Sequence, residues 1–344
     1  MSQWLRVPED IQAFNGLIDD HIQHGIVSQP PRGYATYHPS AFGKCLRQMK
    51  YLEYAEAGHI PMPVPSAESR MARIWALGHD VQSRWERYFT DLGILRGVWE
   101  CVSPHCMKFS DEGDFYADQK IKTNNAGKLF RRRFGEDDLQ GCFKPEKCAC
   151  GSTEFSYHEV SVKDKDMNLF GHADCILDFS RLDESQLEGV KRTFNMDNLP
   201  KGVVVADLKT CNLNNYRNKV QKKGPDLGYQ IQLTIYANLL DCEYGILIYE
   251  CKNDCALKTF HIPRNEDTWW LLLRKQAALM MNMTPKKRLP PPRPFSMEDY
   301  DCKYYCEFKD ICKKSGIWEC PDLKEKRKKF YGNLLEPDPN PKAK

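Results

Sequence analysis

The run VVVADLKT at Val203–Thr210 constrains this chain more than any other stretch. It is short, rich in β-branched residues and closes on two charges, so it reads as a buried strand and not as a surface helix. Side chains two apart on a strand share a face, which sets the Asp207 carboxylate beside the Lys209 ammonium at the strand end. Burying such a pair is costly unless each charge finds a partner, and a divalent metal and a phosphate would supply both. Taken alone, the same letters also describe a solvated ion pair on an edge strand.

Two neighbouring segments add to the pattern. Upstream, LFGHADCILDF at Leu169–Phe179 alternates as a strand, with Gly171 and Asp174 ahead of Ile176 and Leu177. Downstream, GYQIQLTIYA at Gly228–Ala237 reads as a helix that sets Gln232 and Tyr236 four apart on one face. Gly-x-x-Asp, Asp-x-Lys and Gln-x-x-x-Tyr in that order resemble the RecB-like branch of the PD-(D/E)XK nucleases, and within it the iron-sulfur-containing exonucleases; the resemblance runs from about Ser40 to Cys312. It implies an α/β fold whose mixed central sheet is flanked by helices.

The same resemblance implies hydrolysis of DNA with Mg²⁺ or Mn²⁺. Asp174 and Asp207 would hold the ion together with the Leu208 carbonyl, and Lys209 would orient or deprotonate the attacking water. Gln232 and Tyr236 would line the groove, the glutamine fixing Lys209 or the substrate. In that family an earlier helix carries Gly-x-x-x-His with a metal-ligating histidine. Here Gly78 is followed four residues on by Gln82, so Gln82, through its side-chain oxygen, and His79 are the candidates, with helix packing as the plain alternative for either.

Fifteen cysteines in 344 residues argue for metal ligation over a disulfide scaffold in a reducing compartment. The formal charge of +3 does not by itself point to nucleic acid, but the basic residues cluster at Lys128–Arg133, Lys219–Lys223, Lys286–Arg288 and Lys324–Lys329. No stretch is apolar enough to span a bilayer and the first residues carry no secretory pattern, so a cytoplasmic location is expected.

Between Val98 and Tyr157 the composition shifts, and two cysteine knuckles bracket a polar, basic loop. Cys101, Cys106, Cys148 and Cys150 would bind zinc and hold an insert too poor in apolar residues to fold alone, with His105 and Cys142 as substitutes; stray reduced cysteines are the alternative. Near the other end, Cys302, Cys306 and Cys312 follow a proline-rich connector. The resemblance implies that these three and Cys45 bind a four-iron four-sulfur (4Fe-4S) cluster; zinc at the same thiolates is the rival, and Cys320 a weaker substitute.

Helices are expected at Ser40–Tyr51, with Ser40 as N-cap, and at 67–92, 230–240 and 269–283. Strands are expected at 157–163, 170–179, 203–209, 245–251 and 257–262, with a polar loop over 183–200. The expected divisions are an N-terminal helical part (1–97), a zinc-binding insert (98–157), a nuclease core (158–284) and an iron-sulfur segment with a charged tail (285–344). The function expected is a metal-dependent DNA exonuclease acting on single strands or free ends. A structure-specific endonuclease and a non-catalytic, metal-stapled DNA-binding protein are the alternatives.

Overall fold

The computed structural model describes residues 16–17, 19–22, 36–63, 69–104, 106, 132–194, 202–264, 269–284, 289–292, 306–316 and 319–332. Its centre is a mixed sheet flanked by helices. The elements used below are α1 (Pro39–Phe42), α2 (Leu46–Glu56), α3 (Ser69–Asp91), β1 (Leu95–Cys101), β2 (Arg133–Phe134), β3 (Cys142–Phe143), β4 (Phe155–His158), β5 (Val160–Asp164), β6 (Leu169–Ala173), β7 (Cys175–Asp178), α4 (Glu184–Phe194) and β8 (Val203–Cys211). They continue with α5 (Leu227–Leu239), β9 (Tyr244–Cys251), β10 (Leu257–Pro263), α6 (Leu271–Met281), α7 (Lys309–Lys314) and α8 (Leu323–Tyr331).

The sheet runs β10-β9-β8-β7-β1-β2, with β3 and β4 also pairing with β1, while β5 and β6 form a separate hairpin. β1, β7 and β8 make an antiparallel meander, and α5 carries the chain across to β9, which lies parallel to β8 with Asp207 opposite Leu247. Such a crossover needs a helix, because a tight turn joins antiparallel strands only.

Alternation in β8 divides the core. Val204, Ala206 and Leu208 face α3 and pack with Trp85 and Phe89, whereas Val205 faces Leu233 and Tyr236 of α5. Seven consecutive residues of α5, Ile231 to Ala237, are buried, so this helix has apolar or paired neighbours on every side. Its outer face meets Phe42, Leu46, Leu273, Met280 and Tyr331, which brings segments nearly three hundred residues apart onto one helix.

Several sequence expectations are corrected. The helix expected at Ser40–Tyr51 is two: α1, capped by His38, ends at Gly43, and α2 starts after Cys45, which is its N-cap in place of Ser40. A Cβ on Gly43 would lie 2.3 Å from the Gly228 backbone at the head of α5, a close approach that accounts for the break. The strand expected at 157–163 divides at Glu159, where the chain leaves β1 to pair with β6, and that expected at 170–179 divides at Asp174.

The polar stretch 183–200 holds helix α4. Asp183 Oδ1 accepts from Gln186 N at 2.8 Å while Gln186 Oε1 accepts from Asp183 N at 3.0 Å, a reciprocal cap that starts the helix. β8 runs on to Cys211, so Asp207 and Lys209 lie inside the strand and not at its end. β1 was not foreseen as a strand, and it is the one to which the cysteine-bearing segments attach. Among the described residues no helix is long and apolar enough to cross a membrane.

Candidate active site and metal centre

A cleft lined by Glu86, Arg133, Glu159 and His172 opens beside the point where the sheet parts. β7 stops pairing with β8 at Cys175 opposite Ala206, and β6 leaves to join β5, so the β7-side edge of Asp207–Cys211 is left unpaired by β7. Asp174 sits at that parting. Its Oδ2 accepts from Leu208 N at 3.3 Å and lies 3.9 Å from Lys209 Nζ. Lys209 Nζ is 2.7 Å from Asp207 Oδ2, and Gln232 Nε2 of α5 donates to Asp207 Oδ1 at 3.1 Å. The glutamine thus holds the acid, where the sequence placed it on Lys209 or the substrate.

Glycine at 171 has a steric reason. A Cβ there would meet the Pro39 ring at 2.7 Å and Tyr236 Oη at 3.2 Å, so the motif glycine lets the tyrosine reach the cleft. Burial pushes the Tyr236 hydroxyl well above the usual tyrosine range, and the charges of Asp174 and Asp207 add to it. The Lys209 ammonium stands 5.0 Å over the Tyr229 ring.

Asp174 is also the link to two acids that the sequence motifs did not reveal. Gln82 Nε2 of α3 donates to Glu86 Oε1 at 3.0 Å and to Glu159 Oε1 at 2.9 Å. Burial raises both glutamic acids above the usual range; Asp174 is the next cause for Glu159, and Glu159 and Asp174 add for Glu86. Gln82 therefore uses its amide nitrogen to join two of the acids. His79 is exposed and close enough to act on Glu159 electrostatically.

Asp207 is the most deeply buried acid of the group. Only 1% of it is exposed, and burial pushes its carboxyl up to about 7 against the pull of Lys209, with Asp174 raising it further. Its Oδ2 is buried and, although the ammonium is close, has no aligned hydrogen-bond donor. Asp174 and Asp207 thus bring two carboxylates together around one ammonium, and a carboxylate pair of this kind can also serve a hard dication. Burial works against the Lys209 charge, yet Asp207 and Asp174 hold that ammonium above the usual lysine range.

The second centre is the cysteine quartet. Cys101, Cys106, Cys148 and Cys150 bring their sulfurs within 4.8 Å of one another, and this set could hold a metal ion. Cys101 Sγ lies 3.7 Å from Cys150 Sγ, and Cys106 Sγ 3.8 Å from Cys148 Sγ. Four thiolates about 2.3 Å from one tetrahedral ion stand about 3.8 Å apart, so the spacing fits. β1 delivers Cys101, and the turn closed by Gly151 N to Cys148 O at 2.8 Å delivers Cys148 and Cys150. Cys142 is outside the quartet; its carbonyl accepts from Trp99 Nε1. His105 lies outside the described residues.

Cys302 also lies outside the described residues. Of its expected partners, Cys312 packs with Cys306, Tyr51 and Phe308 in one cluster, and Cys45 caps the helix that carries Tyr51. Burial pushes the Cys306 thiol up to about 11, with Cys45 and Cys312 adding to it. Of the basic loop at 128–133, Arg132 and Arg133 are described: Arg132 stacks 5.2 Å over Phe134, and Arg133 pairs with Glu100 at 2.9 Å.

No family model and no curated protein matches the sequence. Among solved structures, the crystal structure of SSO0001 aligns over 88% of this chain and 96% of its own, at 16% identity and a TM-score of 0.33, a level of likeness that assigns neither fold nor function.

Proposed function

We propose that this protein is a divalent-metal-dependent deoxyribonuclease of the RecB-like PD-(D/E)XK kind that degrades single-stranded DNA from an end. The observation that carries the reading is the convergence of Asp174, from the β6–β7 junction, and Asp207, from β8, on Lys209 beside Gln232 and Tyr236. The meander and the α5 crossover support it, since they set the acids side by side and return the glutamine over one of them.

A bound Mg²⁺ or Mn²⁺ would make water a competent nucleophile near neutral pH and neutralise the phosphoryl oxygens. Asp174 and Asp207 would hold it with the Leu208 carbonyl. Lys209, held as an ammonium by Asp207 and Asp174, would orient the water and offset charge on the phosphoryl group in the transition state. Water would add to phosphorus as the ester P–O bond breaks, one of its protons passing to bulk water while the leaving oxygen takes a proton from bulk water in return. Exposed Arg217, Lys219, Lys222 and Lys223, just beyond β8, give the backbone phosphates a path to the cleft.

In the same reading zinc occupies the cysteine quartet, and Cys45, Cys302, Cys306 and Cys312 hold a 4Fe-4S cluster that ties α2 to the C-terminal segment.

The test is digestion of end-labelled single strands, end-labelled duplex and a closed single-stranded circle by purified protein with Mn²⁺ or Mg²⁺. Release of short products from the linear single strand, with the circle intact, is expected. Efficient cutting of the circle would replace the exonuclease with the endonuclease alternative, and no metal-dependent cleavage of any substrate would leave only the DNA-binding one.

A further inference from the structure

One stripe of α3 looks into the cleft. Gln82 and Glu86 bond at its acidic wall, and His79 acts on Glu159 from the turn before. At 100° per residue, positions 75, 79, 82 and 86 fall within a narrow arc, so the next residue on this stripe is Trp75. It lies about 10 Å from Gln82 along the axis, a reach of a few nucleotides.

Trp75 is 52% exposed, and its neighbours Ile74 and Leu77 are 40% and 46% exposed. Trp85, on the same helix, is used quite differently: it packs into the core and donates to Glu250 at 2.7 Å. The overhang is anchored. Lys252 Nζ donates to Ile74 O at 2.8 Å, fixing this turn of α3 to the β9–β10 turn. Asn253 Oδ1 in that same turn accepts from Leu213 N at 2.9 Å, at the start of the segment that exposes Arg217, Lys219, Lys222 and Lys223. The backbone that carries the exposed indole is thus anchored to one side of a short turn whose other side starts a run of cations.

We propose that Trp75 is a base-stacking platform, on which an unpaired nucleobase of a single strand rests while its backbone crosses the cations toward Asp207. The inference rests on the nuclease reading for its substrate. The charge sign suits phosphates, and an indole face accepts any base, so the grip it provides is independent of sequence. Duplex keeps its bases stacked inside and offers this surface nothing comparable. The platform therefore selects single strands or frayed ends.

The test uses full-length Asp207→Ala protein without added metal, titrated against fluorescent oligo-dT by anisotropy. Adding Trp75→Ala should weaken binding about tenfold, with the melting temperature unchanged, and Trp75→Phe should restore most of it. The slope of affinity against salt should stay the same, because no phosphate contact is removed, whereas Lys222→Ala with Lys223→Ala should flatten it. An oligonucleotide of abasic residues should bind the Asp207→Ala protein as weakly as it binds the double variant. Equal oligo-dT affinity with and without Trp75 would overturn the platform, even if the wild-type protein cleaves DNA. Failure of the wild-type protein to hydrolyse bis(p-nitrophenyl) phosphate or DNA in Mn²⁺ would overturn the nuclease reading instead, and leaves the binding comparison to stand or fall separately.

Discussion

Gln232 donates to one oxygen of Asp207 at 3.1 Å while Lys209 stands 2.7 Å from the other. The acid is thereby fixed in the plane that joins β8 to α5. Replacing Gln232 with Leu leaves Asp207 Oδ1 buried without its donor, at a cost of ~1–3 kcal/mol. A lower melting temperature and a slower turnover are expected together; a variant as stable and as active as wild type would show that the bond does not position the carboxylate.

Asp207→Ala and Lys209→Ala should each abolish metal-dependent cleavage, by roughly three orders of magnitude or more, because each belongs to one catalytic unit. Affinity for single-stranded DNA should change far less, since the cations beyond β8 are untouched. Rates and binding curves for both variants check this, and near-full activity in either would mean that the site is misplaced.

The pH dependence follows from the Asp207 carboxyl, moved from 3.8 up to about 7 by burial. An acid raised on folding favours the folded state fully below its unfolded value, and that contribution is lost as pH rises to the folded one. The metal-free protein should therefore lose stability between about pH 4 and 7. A dication replaces the proton, so the melting-temperature gain from Mn²⁺ should grow over the same window and level off above it. Melting curves with and without Mn²⁺ from pH 5 to 8 would show this; a pH-independent gain would not fit.

One zinc per chain is expected at the quartet, and Cys148→Ser should remove it with a loss of stability centred on the end of β1. Elemental analysis of the purified protein is sufficient. Its absence would leave four crowded thiols, one of which, Cys106, burial has already pushed up to about 12, with no ion to offset them.

Protein prepared without oxygen should be brown and bleach with dithionite, and Cys306→Ala should lose both colour and stability. A colourless protein with an additional zinc per chain would favour zinc at Cys45, Cys302, Cys306 and Cys312.

The parts of the site legible in the sequence are those whose members are neighbours along the chain. Asp207 and Lys209 share a strand face, Gln232 and Tyr236 share a helix face, and each pair follows from the period of its element. The cysteine quartet was legible because thiols in two knuckles have few other uses. Glu86 and Glu159 were not, since Gln82 joins them only by reaching 77 residues along the chain to Glu159, a contact made by the fold. The break at Asp174 was hidden because the letters on both sides alternate alike; only pairing with different partners reveals it. Helix α4 was missed for a local reason: Asp183 and Gln186 read as loop residues, but they are its cap.

Helix α5 has no face turned to water along Ile231–Ala237. One flank presents Gln232 and Tyr236 to the cleft, while Ile231 and Ile235 on the other lean on α1, α2, α6 and α8. A helix clamped in this way transmits what happens behind it. A change that loosens the seat of Tyr331 and Met280 should shift the helix that carries Gln232, so the setting of the Asp207 carboxylate depends on packing as far off in the chain as Tyr331.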